Sequence, residues 1–326
     1  MNNLFEVPAA ISQAKESQKG MFILWEILAF IGVFLVSMIT EGILIFPVEF
    51  FIQLKYPEII SAAASGDMNK YTELLNQIMS EDIIVILSLF STMGIILVTL
   101  LFCKLIQKRR MTSLGFVKKD MVKEYFVGLG FGFLLFTVAV LICVLTGSMK
   151  FNGFSQNFSL GIFLLFLLGY MIQGMSEEVL CRGYFMVSVS RRYPIAVGIL
   201  ANSLSFAVLH LFNSGISILA FINLVLFGVF ASVYFLKRGS IWGIAAFHSV
   251  WNLVQGNVYG VFVSGMETHC SVFKTAMVEG RDIINGGSFG LEGGLGVTIV
   301  FIVGICILYT RKTVDKGESH GIEENV

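Results

Sequence analysis

"GMSEEVLCRGYF", Gly174 to Phe185, sets two adjacent carboxylates, Glu177 and Glu178, at the end of a long apolar segment, with Arg182 four residues after the second. Whether those charges sit in water or in a bilayer decides how the whole chain is read. The 326 residues are 56% hydrophobic and 13% charged, with a mean hydropathy of +0.83, far from the mixture of a soluble domain. About 20 apolar residues cross a bilayer as a helix. Such runs occupy 21–46, 83–106, 125–146, 158–191, 194–213, 215–236, 239–258 and 294–310. The expected fold is therefore all-α, a polytopic membrane bundle of about eight transmembrane helices. The first run is too long for a signal peptide, is interrupted by Glu26 and lacks a small-residue cleavage site, so it is expected to stay as a helix.

Basic residues retain loops on the cytoplasmic side. Seven of them, Lys104, Lys108, Arg109, Arg110, Lys118, Lys119 and Lys123, crowd one short segment. Alternating from there places 17 of the 22 Lys and Arg inside, which agrees with eight crossings and puts both termini in the cytoplasm. The organisation expected is an N-terminal part, 1–150, with three membrane helices and an external loop at 47–82 that carries a surface helix around Asn69 to Met79. A helical core follows at 151–310, then a polar cytoplasmic tail at 311–326. A formal charge of zero argues against nucleic acid as a partner, and five dispersed cysteines suggest no disulfide framework. The protein is expected to be multi-pass in the cell membrane.

An ionisable side chain within a span is costly unless it faces protein or water, so each one is a functional candidate. The fourth run carries Glu177, Glu178 and Arg182, the fifth Asn202, Phe206 and His210, and the seventh His248 and Asn252. Glu178 and Arg182 stand at i,i+4 with the acid first, the spacing of a helix salt bridge, and His248 and Asn252 share one face for the same reason. Glu177 meets Cys181 at i+4 and is left available for chemistry. Counted from Arg191, Pro194 and Arg238 at 1.5 Å per residue, Glu177, His210, His248 and Asn252 lie about 15–24 Å into the membrane. Glu26 and Glu41 in the first span read as interfacial or snorkelling. The Gly-dense "NGGSFGLEGGLG", Asn285 to Gly296, lacks the Lys-Ser/Thr ending of a phosphate loop. It is either a flexible turn or an element that brings Glu292 to a cavity.

Glu177-Glu178-xxx-Arg182, then Phe206-xxx-His210, then His248-xxx-Asn252, resemble the EExxxR, FxxxH and HxxxN motifs of the CPBP family. This is the CAAX prenyl endopeptidase and bacteriocin-processing group, also called Abi, and the present sequence looks like a bacterial type. The resemblance covers about residues 160–256, and the "FGLEGG" stretch also looks like bacterial members. It implies an intramembrane endopeptidase in which Glu177 is the general base, His210 its partner in proton transfer, and His248 and Asn252 the oxyanion donors. Glu178, Arg182 and Phe206 would be structural support. It implies a metal-free glutamate protease with no cofactor. Zinc on two His and a Glu is the rival, although the spacing does not supply HExxH. The partners expected are a peptide or membrane-protein substrate and the lipid bilayer. The alternatives are a non-catalytic immunity or scaffold protein that binds a peptide or a sensor, and a proton-coupled transporter, which the lack of evident inverted repeats disfavours.

Overall fold

The computed structural model describes residues 8–79 and 81–310. In lipid every backbone N–H and C=O must bond within its own segment, so the apolar runs are helical. A short α1 (Ala9–Ser17) precedes the long α2 (Ile23–Lys55). α3 (Pro57–Ser65) and α4 (Met68–Met79) follow, and α5 (Asp82–Ser91), α6 (Met93–Leu101) and a π turn at Phe102–Ile106 stack into one rod. After α7 (Met121–Leu145) and strand β1 (Met149–Phe154) comes a second composite rod. It is made of α8 (Leu160–Glu178), a π-helical segment at Val179–Met186 and α9 (Val187–Ser190). α10 (Ile195–Leu209), α11 (Ile218–Arg238) and α12 (Ile241–Leu253) complete the middle, with α12 prolonged by a π turn at Val254–Val258. β2 (Phe273–Met277), α13 (Asp282–Asn285) and α14 (Leu295–Thr310) close the described chain.

The chain is a multi-pass helical bundle. Among the described residues five rods are long and apolar enough to cross a membrane: Ile23–Ile52, Asp82–Ile106, Met121–Leu145, Leu160–Ser190 and Ile218–Arg238. The other three expected runs are helical too, but α10 and α14 have only 15 and 16 residues and α12 only 13. All of α12 except Trp242 is buried, so its length answers to its protein neighbours and not to lipid thickness.

α12 is the centre of the bundle and packs chiefly on α7 and α8. Glycines set those approaches: a Cβ on Gly128 would strike the Gly243 carbonyl, and one on Gly174 would meet the Ser249 hydroxyl and backbone. Small residues at helix crossings are the usual means of close packing inside a membrane. Aromatic rings fill the adjoining core, with Trp251 stacked on Phe301 at 4.8 Å and edge-on to Phe136 at 4.9 Å.

Several expectations need correction. The external loop at 47–82 is largely helical: α2 runs through Pro47 to Lys55, and α3 starts on Pro57 and ends on left-handed Gly66 before the expected surface helix, α4. Glu26 does not snorkel. It is fully buried, pairs with Arg191 at 3.2 Å and accepts from the Met21 amide, so it ties α2 to the end of α9. Glu41 is half-buried and packs against Gly94 of α6, with its Oε1 enclosed. Arg109, one of the seven basic residues that set the orientation, is buried and donates to the carbonyls of Gly183 and Tyr184 in the π-helical segment. A small antiparallel sheet adds to the helices, with Met149 opposite Met277 and Lys150 opposite Ala276. The tail at 311–326 lies outside the described residues.

Candidate active site

Three elements carry the polar residues of the sequence motifs to one place. α8 presents Tyr170, Gln173 and Glu177 at i, i+3 and i+7, which is one helix face. α12 presents His248, Trp251, Asn252 and, just past its end, Gln255. His210 caps the C-terminus of α10, where φ −98° and ψ 3° take it out of the helix. These faces enclose a cavity of about 390 Å³ lined by Glu177, His210, His248 and Asn252 together with Gln173 and Tyr170. One end of the cavity is bounded by the loops bearing Asn213 and Ser264, and by Glu292.

Glu178 and Arg182 form the expected i,i+4 pair, 3.0 Å apart and fully buried. The guanidinium lies over the rings of Phe206 at 4.7 Å and Phe227 at 5.3 Å, which offsets part of the cost of burying it. The arginine of one motif is thus seated on the phenylalanine of the next. Glu178 does more than neutralise Arg182, because the same Oε1 lies 2.9 Å from His248 Nδ1. A carboxylate on Nδ1 places the proton there and fixes the ring. Nε2 of that ring then faces Glu177 Oε2 at 3.7 Å.

Glu177 was expected to face His210. The two line the same cavity, but Glu177 takes its hydrogen bond from Gln173 through Oε1, and the histidine at 3.7 Å is His248. Its Oε2 is enclosed without a hydrogen-bond partner. Gln173 in turn accepts from Asn252 Nδ2 at 2.9 Å, so a chain of amides joins Asn252 to Glu177. Gln173 stands four residues before Glu177, the same spacing that revealed Glu178 and Arg182. Its amide is uncharged, so hydropathy and charge do not single it out within the span. His210 Nδ1 lies 2.8 Å from the Phe206 carbonyl, which assigns a proton to Nδ1 and leaves Nε2 as the ring nitrogen without a protein partner among the described residues.

The two readings of the Gly-dense segment are also decided. It is an ordered element of two short 3-10 turns, with Gly290 at φ 95° where a Cβ would strike the Phe262 carbonyl. Asn223 of α11 holds its backbone by donating to the carbonyls of Glu292 at 2.7 Å and Gly294 at 2.9 Å. Glu292 thereby reaches the cavity wall.

Among the described residues no group of three His, Cys, Asp or Glu side chains is arranged to hold a metal ion. What the cavity offers is two acids, two imidazoles and amide donors around one space. That is the equipment of acyl hydrolysis: a base, a proton carrier and donors for an oxyanion.

Residues 158–254 match the Type II CAAX prenyl endopeptidase Rce1-like family. The resemblance carried by the three motifs is thus borne out over that segment. The Rce1-like segment runs from just before α8 to the π turn after α12, and so contains every residue named in the motifs. Glu292 lies beyond it. No match was found among curated proteins or solved structures.

Proposed function

We propose that the protein is an intramembrane endopeptidase that hydrolyses a peptide or protein substrate in its cell membrane. The observation that carries this reading is the convergence of Glu177, His210, His248 and Asn252 on one cavity inside a segment that matches a CAAX prenyl endopeptidase family. In this reading the chain crosses the membrane eight times, with both ends cytoplasmic.

Glu177 is the general base. Its Oε1 is held by Gln173, so Oε2 takes a proton from a water in the cavity. The water oxygen attacks the scissile carbonyl carbon, and the C=O electron pair moves onto oxygen. Asn252 uses one amide hydrogen on Gln173 and has a second for that oxyanion. His248 donates from Nε2 as an imidazolium, its charge balanced by Glu178 on one side and Glu177 on the other. His210, basic at Nε2, carries a proton between Glu177 and the leaving amine as the C–N bond breaks. No step requires a metal. The hold of Glu178 and Phe206 on the two Nδ1 atoms fixes both rings and leaves each Nε2 for the reaction.

The test is hydrolysis by the purified full chain in liposomes, with peptide products read by mass spectrometry. Turnover that persists in strong zinc chelator is expected; loss on chelation with recovery on added zinc would make zinc the water-activating group. No hydrolysis of any membrane or peptide substrate, with function in cells surviving Glu177→Ala and His210→Ala, would leave a non-catalytic immunity or scaffold role.

Gln173→Ala checks the amide chain. It is expected to lower kcat by about tenfold, the equivalent of one hydrogen bond to a charged group, with folding unaffected. A Gln173→Ala enzyme that keeps full kcat would show that Glu177 needs no such support.

A further inference from the structure

Glu292 has no part in the chemistry above, yet it is a carboxylate built firmly into the cavity wall. Its Oε1 accepts from Trp251 Nε1 at 3.0 Å, and its Oε2 accepts from the Ser264 amide at 3.0 Å and the Ser264 hydroxyl at 2.6 Å. Gln255 Nε2 is a further donor to Oε2 at 3.4 Å. Ser264 is held at φ 48°, a left-handed conformation that is uncommon for a residue with a Cβ. Asn213 fixes it there by donating to its carbonyl at 3.0 Å. All of these donors are neutral, and among the described residues no Lys, Arg or His lies within ion-pair distance of Glu292. A carboxylate in a low-dielectric site without a counter-charge is costly.

The cavity lining includes Glu177 and Glu292 but no Lys or Arg, and the charge of its His248 is already balanced by Glu178 and Glu177. Beside them is the Tyr170 hydroxyl, fully buried, lining the same cavity and without a hydrogen-bond partner. Tyr170 precedes Glu177 by seven residues on α8, about 10 Å, and Trp251 and Gln255 follow His248 by three and seven, about 5–10 Å. Along the two helices the Glu292 end of the cavity therefore lies about 5–10 Å from the reacting atoms. That distance corresponds to two or three residues of an extended peptide at about 3.3 Å each.

We propose that Glu292 and Tyr170 form an acidic subsite for the cationic side chain of a Lys or Arg lying two or three residues from the hydrolysed bond. The proposal rests on the endopeptidase reading and names its substrate class. A peptide bound this way brings the missing positive charge, and the Tyr170 oxygen accepts one of its N–H groups.

Binding to the full-chain Glu177→Gln protein in detergent tests it, because nothing is hydrolysed and Glu292 is the remaining cavity acid. The probes are acetyl-Leu-Leu-Lys-Leu-Leu-amide and the same peptide with norleucine for lysine, compared by calorimetry. The lysine peptide is expected to bind at least tenfold more tightly, and adding Glu292→Gln is expected to bring the ratio close to one. Tyr170→Phe should reduce it about threefold. Ser264→Ala removes a donor to Glu292 without removing the charge and should keep the preference. Equal binding of the two peptides, or the same loss of preference in Ser264→Ala as in Glu292→Gln, overturns the proposal. So does a gain seen only with an uncapped norleucine peptide, whose cation is the α-amino group. Absence of hydrolysis by the wild type bears on the endopeptidase reading; absence of a lysine preference bears on this one.

Discussion

Glu177→Gln is expected to lower kcat by about 10²–10⁴, the range that a positioned general base contributes, with protein abundance and thermal midpoint close to wild type. The variant keeps the shape of the side chain, and its amide oxygen can still accept from Gln173. What it loses is the oxygen that takes the proton of water. Glu177 pairs with no Arg or Lys, and His248 keeps Glu178 at 2.9 Å, so its removal leaves no buried cation without a carboxylate. Turnover measured in liposomes, beside a detergent melt of the same preparation, separates the two effects. Full turnover by Glu177→Gln would remove this residue from the mechanism.

Arg182→Met is expected to show the opposite split, with a loss of stability of about 3–5 kcal/mol, the cost of stranding one member of a buried ion pair. Glu178 would keep His248 but lose the guanidinium at 3.0 Å, and Phe206 and Phe227 would lose the cation between them. Pairing it with Glu178→Gln removes both charges and should restore most of the stability, since a buried pair replaced by neutral groups is often tolerated. That double variant should still turn over slowly, because a glutamine amide does not balance a His248 imidazolium as the carboxylate does. Melting the single and double variants in one detergent checks the first statement. If the single variant melts with the wild type, the pair is not what holds α8 to its neighbours.

The two variants also mark the border between what spacing reveals and what it does not. The i,i+4 placing of Glu178 and Arg182 is a property of any helix, so the pair could be read from "EEVLCR". Its second partner, His248, is 70 residues further on and is set by how α12 lies against α8. Counting residues from the basic helix ends gave a common depth for Glu177, His210, His248 and Asn252, because helical rise is constant. Rotation about each helix axis is not constant in that sense, and it turned Glu177 toward Gln173 and His248 instead of into direct contact with His210. Glu26 reads as an interfacial charge from sequence because its partner, Arg191, is distant along the chain, and the carbonyls of Gly183 and Tyr184 that bury Arg109 are equally out of reach of local spacing.

By itself the sequence determined that this is a multi-pass helical bundle, which residues could not face lipid, and which family the segment at about 160–256 resembles. Those follow from hydropathy, helical period and motif order, all local properties of the chain. Only the tertiary structure decided that Glu178 serves Arg182 and His248 together, that Gln173 links Asn252 to Glu177, and that the Gly-dense loop carries Glu292 into the cavity. Each of these joins groups far apart along the chain or on the unexamined side of a helix. Their meeting depends on how closely glycines such as Gly128 and Gly174 let α7 and α8 approach α12.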